Sequence, residues 1–378
     1  MSRNIKKYKS QQIGPNHRKR HTRGFSLLVL LILQLLTACG PITGNNGQSS
    51  QLGLARTAVV AGPSAIMIEE GKAQLQTYAQ WIQLLKQFGG SGHPYEQQYT
   101  SDEQLLRHGV SQTTYTAGLT KLRTQVASIQ VPALKTEAQR LQQQFQQQVI
   151  SWGQNHSFHN PYDSINYPLG YEYAENGIGG WLQDDLGAAQ TARDYQGLIE
   201  NTHMYQENFQ AMRENVGDKT PYNQAHKTDQ KLLDYYGKHG KALVVSLGEQ
   251  VMRIYDNRKL VNAFYVTTGR PDRPTPAGNW WIEEKVSPTV FRAGVPVGSP
   301  DWYPDTPINY AMQYHSNGYF IHDSWWRNDY GPGTNYPHVD SSGDSFSSQG
   351  SHGCINVSKE NAAWLYSYVE TNTSVIIY

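Results

Sequence analysis

The apolar positions of this chain fall into two regimes that meet near residue 240. From about 64 to 236 they recur at three- and four-residue steps: Leu75, Tyr78, Ile82 and Leu85, then Leu119, Leu122, Val126 and Ile129, then Leu134, Ala138, Leu141, Phe145 and Trp152. Such steps put side chains on one face of a helix, so each run predicts an amphipathic helix. Pro132 stands just ahead of the third run and predicts a helix start there, because proline suits a first turn and disrupts an interior one. Gln142 to Gln144 and Gln146 to Gln148 read as the solvated face of that helix, with a low-complexity tract as the alternative. A fourth helical segment spans about Leu182 to Val216. Residues 153–180, rich in Tyr, Asn, Pro and Gly, form a loop between the third and fourth segments. His156 and His159 in that loop have no further ligand at a convincing spacing, so they read as surface groups and no metal is expected.

From Lys241 the period shortens to that of strands. Ala242 to Leu247 is a β-rich run, Val251 to Tyr255 alternates, Asp256-Asn257 makes a turn, and Leu260 to Val266 follows. Short segments punctuated by Gly and Pro continue through Trp280-Trp281-Ile282 to Tyr319-Phe320-Ile321. A helix over about 359–371 precedes a last strand, 374–378. Many short strands with one late helix predict a β-sandwich or partly open barrel. The fold expected is therefore multidomain α + β, a helical bundle at 64–236 followed by a β domain at 241–378.

The N-terminus adds an address. Residues 1–24 hold eight Lys/Arg and no acid, an apolar run extends from Phe25 to Leu36, and Leu36-Thr37-Ala38-Cys39-Gly40 follows. A basic start, a short apolar stretch and small residues make a secretory signal; the run is shorter than the roughly 20 residues a bilayer span needs. Leu-Thr-Ala-Cys also resembles the bacterial lipobox. Residues 1–38 are then a removable signal peptide, Cys39 is the lipidated anchor, and 39–63 is a flexible tether. An ordinary signal peptide or an uncleaved anchor is the alternative. Removing the eight basic residues takes the formal charge from +1 to −7, which argues against a nucleic-acid partner.

A lipidated Cys39 cannot form a disulfide, so the other cysteine, Cys354, stays a free thiol in a non-reducing compartment, and keeping one there argues for a use. It lies in Ser351-His352-Gly353-Cys354-Ile355-Asn356. A thiol flanked by histidine and glycine suits nucleophilic catalysis: the thiolate attacks, an imidazole carries the proton, and small residues let the backbone approach an oxyanion. The alternative is a buried structural cysteine. A histidine partner predicts a thiol pKa lowered from its free value. No HExxH or comparable set points to a zinc peptidase.

Residues 241–378 resemble the L,D-transpeptidase catalytic domain (YkuD-type). The resemblance rests on the hexapeptide together with the Leu243 to Tyr255 hairpin, Thr267-Thr268-Gly269, Thr275-Pro276-Ala277-Gly278 and Phe320-Ile321-His322, all in the expected order. It implies a mainly antiparallel β-sandwich with the cysteine in a groove under a hairpin lid. It also implies acyl transfer on peptidoglycan stem peptides, without cofactor or metal: the bond between the diamino acid and the terminal D-Ala is attacked, D-Ala leaves, and an amine takes the acyl group. Cys354 is then the nucleophile, and the N–H groups of His352, Gly353 and Cys354 surround the oxyanion. Ser351 and Asn356 are positioning groups. The expected base is His322, oriented by the main-chain carbonyl of Asp323; His338 is the alternative, because residues 323–350 are a longer interval, and 339–350 a shorter one, than the family usually has. A strand end mounts an imidazole rigidly, whereas His338 lies in a Gly/Pro/Asn/Ser-rich insert expected at the cleft rim. Arg327 is a candidate for stem-peptide carboxylates, a surface salt bridge being its alternative. The Trp280, Trp302 and Trp325 clusters read as core and cleft wall. The resemblance further implies acylation of Cys354 by carbapenem-type β-lactams. An L,D-carboxypeptidase and an inactive wall-binding lipoprotein are the rival readings, and the partner of the helical segment is unknown.

Overall fold

The computed structural model describes residues 61–108, 111–299 and 302–378. The signal peptide, Cys39 and the tether up to residue 60 lie outside the described residues. Six helices come first: α1 (Ala65–Gln87), α2 (His93–Arg107), α3 (Gln112–Asn155), α4 (Ile178–Ala188), α5 (Ala192–Asn215) and α6 (Lys227–Tyr235). Ser64 caps α1 by accepting from the Met67 amide at 3.3 Å.

Two boundaries differ from the sequence reading. Helix α3 runs for 44 residues through Pro132, joining the two runs expected to be separate helices. An interior proline costs about 3 kcal/mol. Here Leu122, Ile129, Ala133, Leu134, Ala138 and Phe145, on both sides of it, share the buried face, and their burial offsets that cost. Conversely, the segment expected over 182–216 divides at residues 189–191. Thr191 and Asp194 form a capping box there, the Thr191 side chain accepting from the Asp194 amide at 3.2 Å and the Asp194 carboxylate from the Thr191 amide at 2.8 Å. Within the loop at 153–180, β1 (Ser157–His159) and β2 (Asn166–Pro168) pair as a small hairpin, and a 3₁₀ turn at Tyr171–Tyr173 follows.

The rest is β3 (Ala242–Ser246), β4 (Val251–Asp256), β5 (Lys259–Tyr265), β6 (Gly278–Trp281), β7 (Glu284–Val286), β8 (Thr289–Phe291), β9 (Thr306–Ile308), β10 (Ala311–His315), β11 (Tyr319–Asp323), β12 (Ile355–Val357), α7 (Lys359–Tyr368) and β13 (Ser374–Ile377). One sheet has the order β5-β4-β3-β13-β6 and the other β12-β11-β10-β7. Each is antiparallel apart from one pair, β13 with β3 and β11 with β12. Strands β8 and β9 form a separate ribbon.

Helices and sheets share one continuous hydrophobic core, which takes Tyr78, Phe145 and Phe209 from the helices and Val244, Ile254, Ile321 and Ile376 from the sheets. A buried polar junction fixes their mutual position. The Asp229 carboxylate of α6 accepts from Arg253 Nε of β4 and from the Tyr255 and Tyr378 hydroxyls, each at 2.6 Å, and none of the four residues is exposed. Asn208 of α5 donates to the Ile377 carbonyl at 2.7 Å. Among the described residues no helix is long and apolar enough to cross a membrane.

Candidate active site

The hexapeptide is strapped to the segment 267–270. Thr267 and Asn356 exchange backbone hydrogen bonds at 2.9 and 2.8 Å, the Ser351 amide donates to the Thr268 carbonyl and the Arg270 amide to the Ser351 carbonyl, both at 3.0 Å. Between these anchors the turn is held by Ser351, whose Oγ donates to the Cys354 carbonyl at 2.5 Å and accepts from the Gly353 amide at 3.0 Å. That bond occupies the Gly353 N–H, one of the three amides expected around an oxyanion. Gly353 has φ +112°, a region favouring glycine, and a Cβ there would lie 2.5 Å from the Tyr319 ring. Its carbonyl accepts from Thr275 Oγ1 at 2.8 Å and from the Tyr314 hydroxyl at 3.4 Å.

The parallel pairing of β11 with β12 sets His322 opposite Asn356 and Ile321 opposite Ile355. Alternation along the strands then puts His322 and Asn356 on one face, and Cys354 lies in the bend that leads into β12, two residues before Asn356. His322 is 4% exposed. Its Nδ1 lies 2.9 Å from the Asp323 carbonyl, which can only accept, so Nδ1 carries the proton and Nε2 keeps its lone pair. The Asn356 amide donates to Nε2 at 3.1 Å. Burial lowers the imidazole to a pKa of about 4, against a weaker upward pull from the Asp323 carbonyl. The ring is therefore neutral at neutral pH, in the tautomer able to accept a proton. The Asp323 carboxylate faces elsewhere, accepting from Asn309 Nδ2 and the Tyr310 amide, each at 2.7 Å.

Cys354 is half-buried and is a free thiol. Its Sγ lies 3.9 Å from the Gly318 carbonyl. Burial pushes its pKa up to about 11, with a smaller opposing pull from the Phe320 backbone. This reverses the lowering expected from the sequence. Tyr303, Tyr314 and Tyr319 are close enough that a charge on the cysteine raises their own hydroxyls, so phenols crowd the thiol and desolvation outweighs the rest. The ribbon adds Phe291, whose ring centre is 5.0 Å from that of His322, and Tyr303, 5.7 Å from His352.

Arg327 is not arranged as the carboxylate fork or surface salt bridge considered from sequence. It is 4% exposed and donates from Nη1 to the Ser347 carbonyl at 2.9 Å and from Nη2 to the Gln349 carbonyl at 2.7 Å. It thereby pins the insert just ahead of Ser351. Asp340 organises the middle of that insert, accepting from the Asn328, Asp329 and Ser342 amides at 3.1, 3.0 and 2.8 Å; those bonds hold its pKa down at about 2 despite desolvation. His338 belongs to the same insert, with Nδ1 2.8 Å from the Tyr336 carbonyl and Nε2 4.0 Å from Asp340. His156 and His159 are exposed, and His156 stacks on Trp152. Among the described residues no group of three or more His, Cys, Asp or Glu could hold a metal ion.

Thr275 and Tyr319, which flank Gly353, had not been singled out as site residues. The Thr275-Pro276-Ala277-Gly278 string was a signal for the first. None marked the second, whose role depends on its packing over a residue 34 positions away in the chain.

The geometry defines a class before any relative is considered: a free thiol in a glycine turn that leads into β12, whose Asn356 is hydrogen-bonded to a buried neutral imidazole, within mostly antiparallel sheets. The YkuD L,D-transpeptidase catalytic domain matches residues 240–377. Curated relatives include probable L,D-transpeptidase 3 of Mycobacterium tuberculosis, 31% identical over 112 residues covering 29% of this chain and 36% of that protein. L,D-transpeptidase 1 of the same organism is 29% identical over 133 residues, 33% of this chain and 45% of that protein. The chain thus spans less than half the length of these relatives. Similar solved structures include the NMR structure of the catalytic domain of the E. faecium L,D-transpeptidase (29% identity, TM-score 0.29, covering 37% of this chain and 98% of that one). Another is an L,D-transpeptidase from Mycobacterium smegmatis (25% identity, TM-score 0.30, covering 36% and 58%). Residues 240–377 are an L,D-transpeptidase catalytic domain of the YkuD family. The match begins at residue 240, so the helical segment lies outside it.

Proposed function

We propose that the protein is an exported peptidoglycan L,D-transpeptidase with Cys354 as nucleophile and His322 as base. The supporting observation is His322 near the end of β11, with its Nδ1 proton committed to the Asp323 carbonyl, in register with Asn356, two residues after Cys354. Because the thiol is held up at about 11 and the imidazole down at about 4, the resting pair is neutral. The proton moves from Sγ to Nε2 as sulfur attacks the carbonyl between the diamino acid and D-Ala, and the Asn356 amide yields its place on Nε2. The tetrahedral oxyanion is met by the Cys354 N–H; collapse expels D-Ala, whose nitrogen takes the proton from His322, and leaves a thioester. An acceptor amine then attacks the thioester, His322 takes its proton, and the thiol is restored as the new amide forms. Ser351 and Asn356 act as positioning groups, and the sequence of residues 1–39 supports export with a lipid anchor at Cys39 facing the cell wall. No cofactor enters this chemistry.

The test incubates the protein with disaccharide-tetrapeptide and reads the products by mass spectrometry, beside Cys354→Ala, His322→Ala and His338→Ala. A cross-linked dimer with loss of D-Ala is expected from the unsubstituted protein and from His338→Ala, and from neither of the other two. Free tripeptide as the sole product would make the protein an L,D-carboxypeptidase. Activity surviving in His322→Ala but not in His338→Ala would move the base to the insert. Mass analysis of the mature N-terminus is expected to give a diacylated Cys39, and any other terminus contradicts the anchor.

A further inference from the structure

The helical segment reaches the nucleophile's peptide through two residues. Tyr171, in the 3₁₀ turn after β2, is 8% exposed; its hydroxyl donates to the Gly269 carbonyl at 2.7 Å and accepts from Asn335 Nδ2 at 2.9 Å. The Gly269 amide donates to Thr275 Oγ1 at 2.9 Å, and Thr275 Oγ1 donates to the Gly353 carbonyl at 2.8 Å. Gly269 has no space for a side chain, since a Cβ would lie 2.1 Å from the Arg273 carbonyl oxygen. These bonds form an unbroken chain from the helical segment to the Gly353–Cys354 peptide. Separately, Trp181 of α4 packs its ring 6.1 Å from that of Tyr319 and 5.2 Å from that of His315. Tyr319 in turn covers the Gly353 Cα.

We propose that the helical segment is a positioning element for catalysis, in which Tyr171 and Trp181 hold the Gly353–Cys354 peptide in the orientation that aims the Cys354 N–H at the oxyanion. A trans peptide is planar, so fixing the Gly353 carbonyl on the Thr275 side directs the Cys354 N–H the opposite way. Such a bond strengthens only as charge develops on the attacked oxygen, so its loss lowers kcat and leaves KM unchanged. This inference rests on the functional reading above and concerns Tyr171 and Trp181, which lie outside the 240–377 family match.

The test separates two reactions of the same thiol in the full chain. Imipenem acylates: sulfur adds to the β-lactam carbonyl, an oxyanion forms, the ring C–N bond breaks and the nitrogen takes the proton. Iodoacetamide alkylates by displacing iodide, with no oxyanion. In Tyr171→Phe, which keeps the ring and removes the hydroxyl, acylation is expected to slow about tenfold, less than the roughly 10²–10³-fold cost of deleting an oxyanion donor outright, while alkylation is unchanged. Trp181→Ala is expected to show the same split, and Trp181→Phe to restore acylation, so the inference stays testable if one variant folds poorly. Acylation at the unsubstituted rate in both Tyr171→Phe and Trp181→Ala overturns the inference, as does an equal slowing of both reactions with a lowered melting temperature. No acylation of the unsubstituted protein overturns the functional reading itself, and this inference with it.

Discussion

At the scale of single residues, desolvation dominates the titration of both Cys354 and His322 and favours a neutral pair over an ion pair. Crowding by phenols holds Cys354 as a thiol, and burial holds His322 as a free base. The sign of the cysteine shift sets its reactivity: a pKa raised to about 11 leaves thiolate scarce at neutral pH, and the fraction grows tenfold with each pH unit until that pKa is reached. Alkylation of Cys354 by iodoacetamide is therefore expected to rise about tenfold per unit from pH 7 to pH 10 without a plateau. A plateau near pH 7 would reveal a thiolate–imidazolium pair instead. Cys354 and His322 could be singled out as candidates from the sequence because each sits in a short local string. The direction of the thiol's shift was not legible, because it depends on tertiary packing that brings Tyr303 from the loop before β9 and Tyr314 and Tyr319 from the β10–β11 hairpin near the thiol.

At the scale of elements, the insert before the hexapeptide is an ordered brace. Arg327 spans it to the Ser347 and Gln349 carbonyls, and Asp340 gathers three amides. Arg327→Ala leaves two carbonyls without their charged donor, so a stability loss of about 2–3 kcal/mol is expected from denaturant unfolding, with KM for the stem peptide unchanged. A raised KM with undisturbed stability would return Arg327 to the carboxylate-binding role that its charge suggested. In the sequence Arg327 is a guanidinium after a tryptophan pair, and its burial follows only from tertiary packing. The same limit produced the split at Pro132. Proline locally favours a helix start, but burial on both sides of Pro132 carries α3 through it. The strands were more legible, since the Ala242 to Val266 runs announce β3, β4 and β5 through composition alone.

For the whole molecule, the helical and β parts share a core and a buried junction, which makes the helical segment part of the catalytic unit's framework. Asp229 is the centre of that arrangement: removing it takes one of two carboxylates from the fully buried Arg253 guanidinium, leaving Glu249 at 2.7 Å, and takes the acceptor from the Tyr255 hydroxyl. Asp229→Ala is expected to cost about 3 kcal/mol in a single cooperative unfolding transition, the low end for a broken buried pair because Glu249 still faces Arg253. Two separate transitions, with the β part unaffected, would show that the parts fold independently. The switch near residue 240 was visible in the sequence as a change of period, but the junction across it was not, because Asp229, Arg253 and Tyr378 meet only through tertiary packing. The central claim is that Cys354 carries the acyl group between donor and acceptor. The most direct measurement is intact-mass and peptide mapping of the protein quenched during turnover with tetrapeptide stem. The account predicts an adduct on Cys354 equal to the stem less D-Ala, decaying when an acceptor amine is added. Product formed with Cys354 unmodified throughout, or an adduct on another residue, would contradict it.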